Sequence, residues 1–399
     1  MGDAGVNAGP GGRAGPGSRP ATAAARLVAE AVREGIAPAA ALAVGRGRAG
    51  AAAGSYEIHT FGHTHPTAAA PPVTEETVFD LASLTKVVAT TPAVLRLIDA
   101  GRLGLDDPVA RYLPAYAEGA KARVTLRHLL THTSGLPADE PFHELDASQF
   151  GLRAAIADTP LVANPASTVL YSDIGFMTLG FVVEEVAGTS LDSAVQELVF
   201  TPLGLTSTGY VPVHARGIDF APTAPRADGG GSGGGSGGSG GGGVAGDPRV
   251  GVVHDPNAEA LGGVAGHAGV FSTIGDLVSY LSQVWLRPDP EPDSAGSGAE
   301  FLSPAIRDAA TTCWTEHLNG RRGLGWVLAR DPWDHMTAAW PETRAGHSGY
   351  TGTSIAFDPV SGLWTVLLTN AAYHGRDHSG IALLRRTVHA AVGAWAETA

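Results

Sequence analysis

The chain holds one cysteine in 399 residues, Cys313, which excludes an internal disulfide and any zinc cluster built on thiolates. A single thiol fits a reducing compartment, and packing is its expected role. No run approaches the roughly eighteen consecutive apolar residues that a membrane-spanning helix needs, so no membrane partner is expected. Positive charge is scarce too: 26 Lys and Arg stand against 39 Asp and Glu, for a net charge of −13 and a pI of about 5.5. That balance opposes binding to nucleic-acid phosphates or anionic lipid. The first nineteen residues lack the apolar centre of a secretion signal and read as a disordered tail, which leads to the expectation of a cytoplasmic location.

Lysine is the most telling shortage. Only Lys86 and Lys121 occur, against 24 arginines. Guanidinium stays protonated in any protein site, whereas an amine can be stripped of its proton by burial and neighbouring positive charge. Three residues before Lys86 stands Ser83, and on a helix side chains three apart share a face. This is a nucleophile beside its base. With 23 serines, such a pair arises by accident about one time in eight. Context adds weight: Leu84, Val87, Val88, Val94, Leu95 and Ile98 follow the i, i+3, i+4 rule of a buried helical stripe, and Gly101 supplies a stop. Ser83 thereby falls in a first turn, where free amides favour negative charge on its oxygen. Pro92 is expected to kink or interrupt the helix after Thr91.

What the chain does contain is ample for a core, since 44% of residues are apolar. After a tail over 1–20, residues 21–34 read as an amphipathic helix, and 39–46 and 57–62 as strands. From 105 to about 204 the pattern is mostly helical, broken by turns at 105–108, 133–137 and 164–165. Residues 229–243 are glycine and serine alone, a flexible coil spanning roughly 20 Å. A helix near 272–285 follows, then a hairpin over 353–358 and 363–370 joined by Pro359-Val360-Ser361-Gly362. Ile381, Leu384, Val388, Val392 and Trp395 stripe a last helix. The fold class expected is α+β: an antiparallel sheet built from both chain ends and flanked by helices, with an inserted, mostly helical subdomain. Its boundaries fall at one catalytic domain over 21–397, with the sheet part at about 21–82 and 252–397, the helical insert at about 100–226 and a flexible loop at 227–246. The cleft between the two parts is the expected site.

Three motifs resemble those of the serine hydrolases related to penicillin-binding proteins and class C β-lactamases, in their esterase and amidase branch. They are Ser83-Leu84-Thr85-Lys86, Tyr171-Ser172-Asp173 and His347-Ser348-Gly349. The last stands where that family has lysine-threonine-glycine, in the histidine form of esterase-like members. Runs 127–136 and 261–269 fit as well. The resemblance implies a β-lactamase/transpeptidase-like fold. It also implies that Ser83 attacks a carbonyl, that Lys86 and Tyr171 share the proton work, and that Tyr171 activates the deacylating water. The amides of Ser83 and Tyr350 would form the oxyanion hole, with His347, Ser348, Gly349 and Asp173 lining the substrate. Free pKa values near 10.4 and 10 for lysine and tyrosine are too high for a base at neutral pH; lowering either by about three units takes roughly 4 kcal/mol. An ionised Asp173 beside Lys86 would work against this, so Asp173 is expected to bond within its own loop. His347 replaces a permanent cation, which favours a neutral ester or a differently charged amide over a β-lactam.

Other patterns carry less. His128 and His132 have the i, i+4 spacing of zinc ligands, but no glutamate follows His128, and a helix end near Thr133 explains them better. His59, His63 and His65 alternate as on an exposed strand face. Gly45 to Gly50 satisfies a dinucleotide fingerprint without the helix it needs, and Gly234 to Gly238 matches a nucleophile elbow inside the flexible run. Asp106-Asp107 before a proline reads as a turn. The reading is a serine hydrolase forming an acyl-enzyme on Ser83, with no cofactor and no metal, acting on a small ester, amide or peptide, muramoyl peptides included. A β-lactamase or D-alanyl-D-alanine carboxypeptidase, an acyltransferase, and a non-catalytic binding protein are the alternatives. Oligomeric state has no signature in the sequence.

Overall fold

The computed structural model describes residues 21–47, 55–67, 69–210, 219–223, 249–286, 300–374 and 379–396. The expected tail and the glycine-serine loop lie outside them, as do residues 48–50 of the 45–50 fingerprint. Among the described residues the strands are β1 (Ala39–Arg46), β2 (Ser55–Gly62), β3 (Val78–Asp80), β4 (Gly209–Tyr210), β5 (Phe220–Ala221), β6 (Val270–Ser272), β7 (Val327–Leu328), β8 (Ala345–Ser348), β9 (Ser354–Phe357) and β10 (Leu363–Thr369). Six form the main sheet, ordered β2-β1-β10-β9-β8-β7, and antiparallel throughout. Both chain ends therefore meet in one sheet, β1 pairing with β10 from Ala40 opposite Thr369 to Arg46 opposite Leu363.

Both faces of this sheet are covered, which explains why β1 reads as an unbroken apolar run rather than an alternation. Ala40, Leu42 and Val44 join Val28, Leu367, Leu384 and Val388 beneath the terminal helices Ala21–Arg33 and Ser379–Ala396. Ala39, Ala41 and Ala43 face the other way, into the larger core shared with helix Ile274–Val284 and the helical region. A smaller sheet has the order β4-β6-β3-β5, and β3 leads directly to Ser83. Thr223 and Arg249, on either side of the glycine-serine segment, are bridge partners.

The helix after β3 departs from expectation. A 3-10 turn, Ala82–Leu84, passes into a π-turn, Lys86–Thr90, and then into α-helix Thr91–Asp99. Pro92 does not break the element: it sits in the first turn of the α segment, where a missing N–H is tolerated. The irregularity precedes it, in the π-turn, where Val87 O accepts the Tyr280 hydroxyl and the Thr90 hydroxyl donates to Gly266 O at 2.6 Å. No single described helix is long and apolar enough to cross a membrane; Asp173–Ala187 and Leu191–Leu203 pass that test only as a pair bent by 77°. The apolarity of the first is accounted for by its burial from Ile174 to Val183.

Candidate active site

Asp80, at the end of β3, shapes the backbone next to Ser83. One of its carboxylate oxygens accepts the amide of Ala82 at 2.8 Å and the other that of His254 at 2.7 Å. The bond to Ala82 helps hold that residue at φ +48, a strained value for a side chain with a Cβ, immediately before Ser83. Burial pushes the Asp80 carboxyl up to about 6 despite these two amides.

Lys86 is fully buried, and three acceptors surround its ammonium: Ser83 Oγ at 2.9 Å, His267 O at 3.1 Å and Asp173 Oδ1 at 2.6 Å. The Tyr171 ring centre lies 5.0 Å from Nζ, close enough for the charge of Lys86 to act on its phenol. Ser83, Lys86 and Tyr171 are thus brought together from two distant segments. Expected to bond within its own loop, Asp173 instead faces the amine. The reason is local: Ser172 caps helix Asp173–Ala187 by accepting the Gly175 amide at 3.0 Å, and Asp173 N is held by Ala138 O at 2.8 Å. The carboxylate of Asp173, not needed for the cap, turns inward. Burial of Lys86 works to lower its pKa, but Asp173 and Tyr171 outweigh it, and the amine lies above its ordinary value. For Tyr171 burial dominates, and the phenol is raised although Lys86 opposes this.

The loop bearing Tyr171 is threaded on the segment after helix Leu126–Leu130. His132, at φ +57, accepts the Ser172 amide on Nδ1 at 3.0 Å, gives its carbonyl to Leu170 N at 2.8 Å, and packs its ring 4.5 Å from that of Tyr171. His128 is turned away from this site and accepts Thr125 N at 3.1 Å as a helix cap. Among the described residues no group of three His, Cys, Asp or Glu could hold a metal ion. Lys121 lies elsewhere, over the Tyr116 ring at 4.3 Å.

The opposite wall is the end of β8. His347 is buried, its ring 6.0 Å from Tyr171, and its Nδ1–H donates to Ser348 O at 2.9 Å. Burial, then the charges of Lys86 and Arg322, hold its pKa well below the usual histidine range, so the imidazole is neutral. Ser348 is half-buried at the strand end. Gly349 allows close approach to the nucleophile turn, since a Cβ there would lie 2.4 Å from Leu81 O and 2.2 Å from Thr353 Oγ1. Thr351 and Thr353 donate to Asp80 O and Leu81 O at 2.8 and 3.0 Å, pinning the turn that carries Tyr350 to the segment that carries Ser83. Tyr350 is half-exposed and stacks on His254 at 5.1 Å. Asp80, His132, Thr351 and Thr353 form a frame that motif spacing does not announce. Only Asp80, three residues before Ser83, has a signal of proximity in the sequence.

With this geometry in place, resemblance to known proteins is informative. The family model described as Beta-lactamase matches residues 24–389. A protein of Escherichia coli (strain K12) named "Putative D-alanyl-D-alanine carboxypeptidase" is 35% identical over 346 residues, covering 77% of this chain and 71% of its own length. The solved structure of EstCE1, titled a hydrolase with promiscuous acyltransferase activity, has a TM-score of 0.68 at 24% identity, covering 92% of this chain and 98% of that one. Simvastatin synthase (LovD) from Aspergillus terreus shares the fold at a TM-score of 0.68 and 20% identity, over 94% of this chain and 98% of that one. The match to most of the chain, together with a relative above 30% identity, means that the chain belongs to the Beta-lactamase family and is a serine hydrolase of the acyl-enzyme type.

Proposed function

We propose that the chain cleaves esters and amides that lack a free carboxylate at the reacting end, with Ser83 as its nucleophile. The observation that carries this is the 2.9 Å contact of Lys86 Nζ with Ser83 Oγ, with the Tyr171 ring 5.0 Å from the same amine. Ser83 Oγ attacks the carbonyl carbon while its proton passes to the Lys86–Tyr171 pair, which titrates as a unit. The oxyanion turns to the amides of Ser83 and Tyr350, a stabilisation commonly worth a hundred- to a thousandfold in rate per donor. As the carbon–leaving group bond breaks, the pair returns the proton to the departing oxygen or nitrogen. Water, deprotonated by Tyr171, then attacks the acyl carbon and releases Ser83.

Charge argues for the neutral substrate. His347 offers no cation near neutral pH, and the carboxylates of Asp173 and Asp255 both interact with the Lys86 amine. A D-alanyl-D-alanine carboxypeptidase is the second reading, favoured by the name of the Escherichia coli relative. The test begins with intact mass after a fluorophosphonate probe, where an adduct in wild type that Ser83→Ala abolishes is expected. A chromogenic ester, a cephalosporin, muramoyl-alanine and D-alanyl-D-alanine assayed in parallel then sort the substrates. Preferential cleavage of the dipeptide replaces the first reading with the second, and absence of any adduct removes the catalytic account.

A further inference from the structure

Trp333 is a large apolar side chain with 65% of its surface exposed, and it lies flat against Tyr171, ring centres 5.7 Å apart and planes 15° from parallel. Its mounting is rigid. Asp331, buried, accepts the Trp333 amide at 2.8 Å and the Arg321 amide at 2.7 Å while pairing with Arg322 at 3.0 Å. Asp334 accepts the amides of Arg330 and Met336 at 3.1 and 2.9 Å and pairs with Arg344 at 2.7 Å. An exposed indole costs solvation, and one carried on backbone held by these six polar contacts to the flanking aspartates has less conformational freedom to lose on binding. Such a surface beside a proton-transfer group is preorganised for a ligand.

The chemistry says which part of the ligand. A leaving oxygen or nitrogen must come within hydrogen-bond reach of the group that returns its proton, so the leaving group departs on the Tyr171 side. The carbonyl oxygen points the other way, towards Ser83 and Tyr350. We propose that Trp333 forms the leaving-group subsite, selecting aryl or other broad, flat apolar alcohols and amines. By microscopic reversibility, the same indole receives an incoming acceptor when the acyl group passes to an alcohol or amine instead of water. This rests on the reading that Ser83 is acylated and Tyr171 handles the leaving group's proton.

Two ester series test it: acetates of ethanol, phenol and 2-naphthol, and phenyl esters of acetate, butyrate and octanoate. Comparing each variant with wild type on the same ester cancels intrinsic leaving-group reactivity. Trp333→Ala is expected to lower kcat/KM for 2-naphthyl acetate by about tenfold, mostly through KM, to leave ethyl acetate within about twofold, and to act evenly across the acyl series. Trp333→Phe should retain activity within about threefold. Equal losses for ethyl and naphthyl acetate would reduce Trp333 to a positioning residue for Tyr171, and losses that grow with acyl length would put the indole on the acyl side. Both overturn the proposal. Fluorophosphonate labelling, whose leaving group is fluoride, should be as fast in Trp333→Ala as in wild type. If wild type itself is not labelled, the failure belongs to the acyl-enzyme reading and not to Trp333.

Discussion

Replacing Asp173 by asparagine is the sharpest perturbation of the site. It removes a negative charge 2.6 Å from Lys86 Nζ and leaves shape nearly unchanged. At an effective dielectric of about 20, two unit charges at that separation attract by roughly 6 kcal/mol, an upper bound because the Asp173 carboxylate is partly exposed and screened. A neighbouring carboxylate more commonly moves a pKa by about one to three units. Asp173 raises both Lys86 and Tyr171, so its loss lowers the pair whichever member takes the serine proton. The sign is then definite. The pair must give up a proton before Ser83 can attack, activity rises with pH through its apparent pKa, and Asp173→Asn shifts that acidic limb to lower pH by about one to three units. The assay is kcat/KM against pH on a neutral chromogenic ester, whose own ionisation does not intrude. Below the limb the variant should be the faster enzyme, by less than the gain in free base because a weaker base transfers protons less well. A limb that stays in place or moves up would refute the assignment of the Lys86–Tyr171 pair as base.

Lys86→Arg should be nearly as inactive as Ser83→Ala in steady-state turnover, since a guanidinium keeps the charge but cannot give up its proton; retention of most turnover would remove Lys86 from the proton work. Gly349→Ala forces a Cβ against Leu81 O and Thr353 Oγ1, and should cost about a hundredfold in kcat by displacing Tyr350 from Ser83, with a folded protein by circular dichroism. His132→Phe keeps a ring against Tyr171 but strands the Ser172 amide, so urea denaturation should show a loss of about 1–3 kcal/mol together with a lower kcat. Asp80 titrates at about 6 in the folded chain against 3.8 unfolded, so the folded state binds the extra proton between those values. Its contribution to stability therefore falls as pH rises through about 4 to 6, by about 3 kcal/mol in total, and Asp80→Asn should flatten that part of the stability profile.

What could be read from residues alone follows physical range. Ser83 and Lys86 are three apart on one helix, and β9 and β10 are joined by a short Pro-to-Gly turn, so local rules reach both. The stripe from Ile381 to Trp395 and the apolar run of β1 report burial directly. Asp173 escaped because its direction depends on which neighbour caps the helix: Ser172 satisfies the first turn, and the carboxylate is released towards an amine far away in sequence. The π-turn at Lys86–Thr90 escaped because its causes, the Tyr280 hydroxyl and Gly266 carbonyl, also lie on remote segments. Pro92, read as a break, is instead compatible with the winding that those contacts impose. The same holds for His132, Thr351 and Thr353, each of which works through one hydrogen bond to backbone that only the assembled fold brings near. Chemistry in this chain is written in short spacings, but its tuning is not. The charge state of Lys86, on which the proposed proton transfers depend, is set by burial against Asp173 and Tyr171, and nothing in the spacing of these residues says whether they meet.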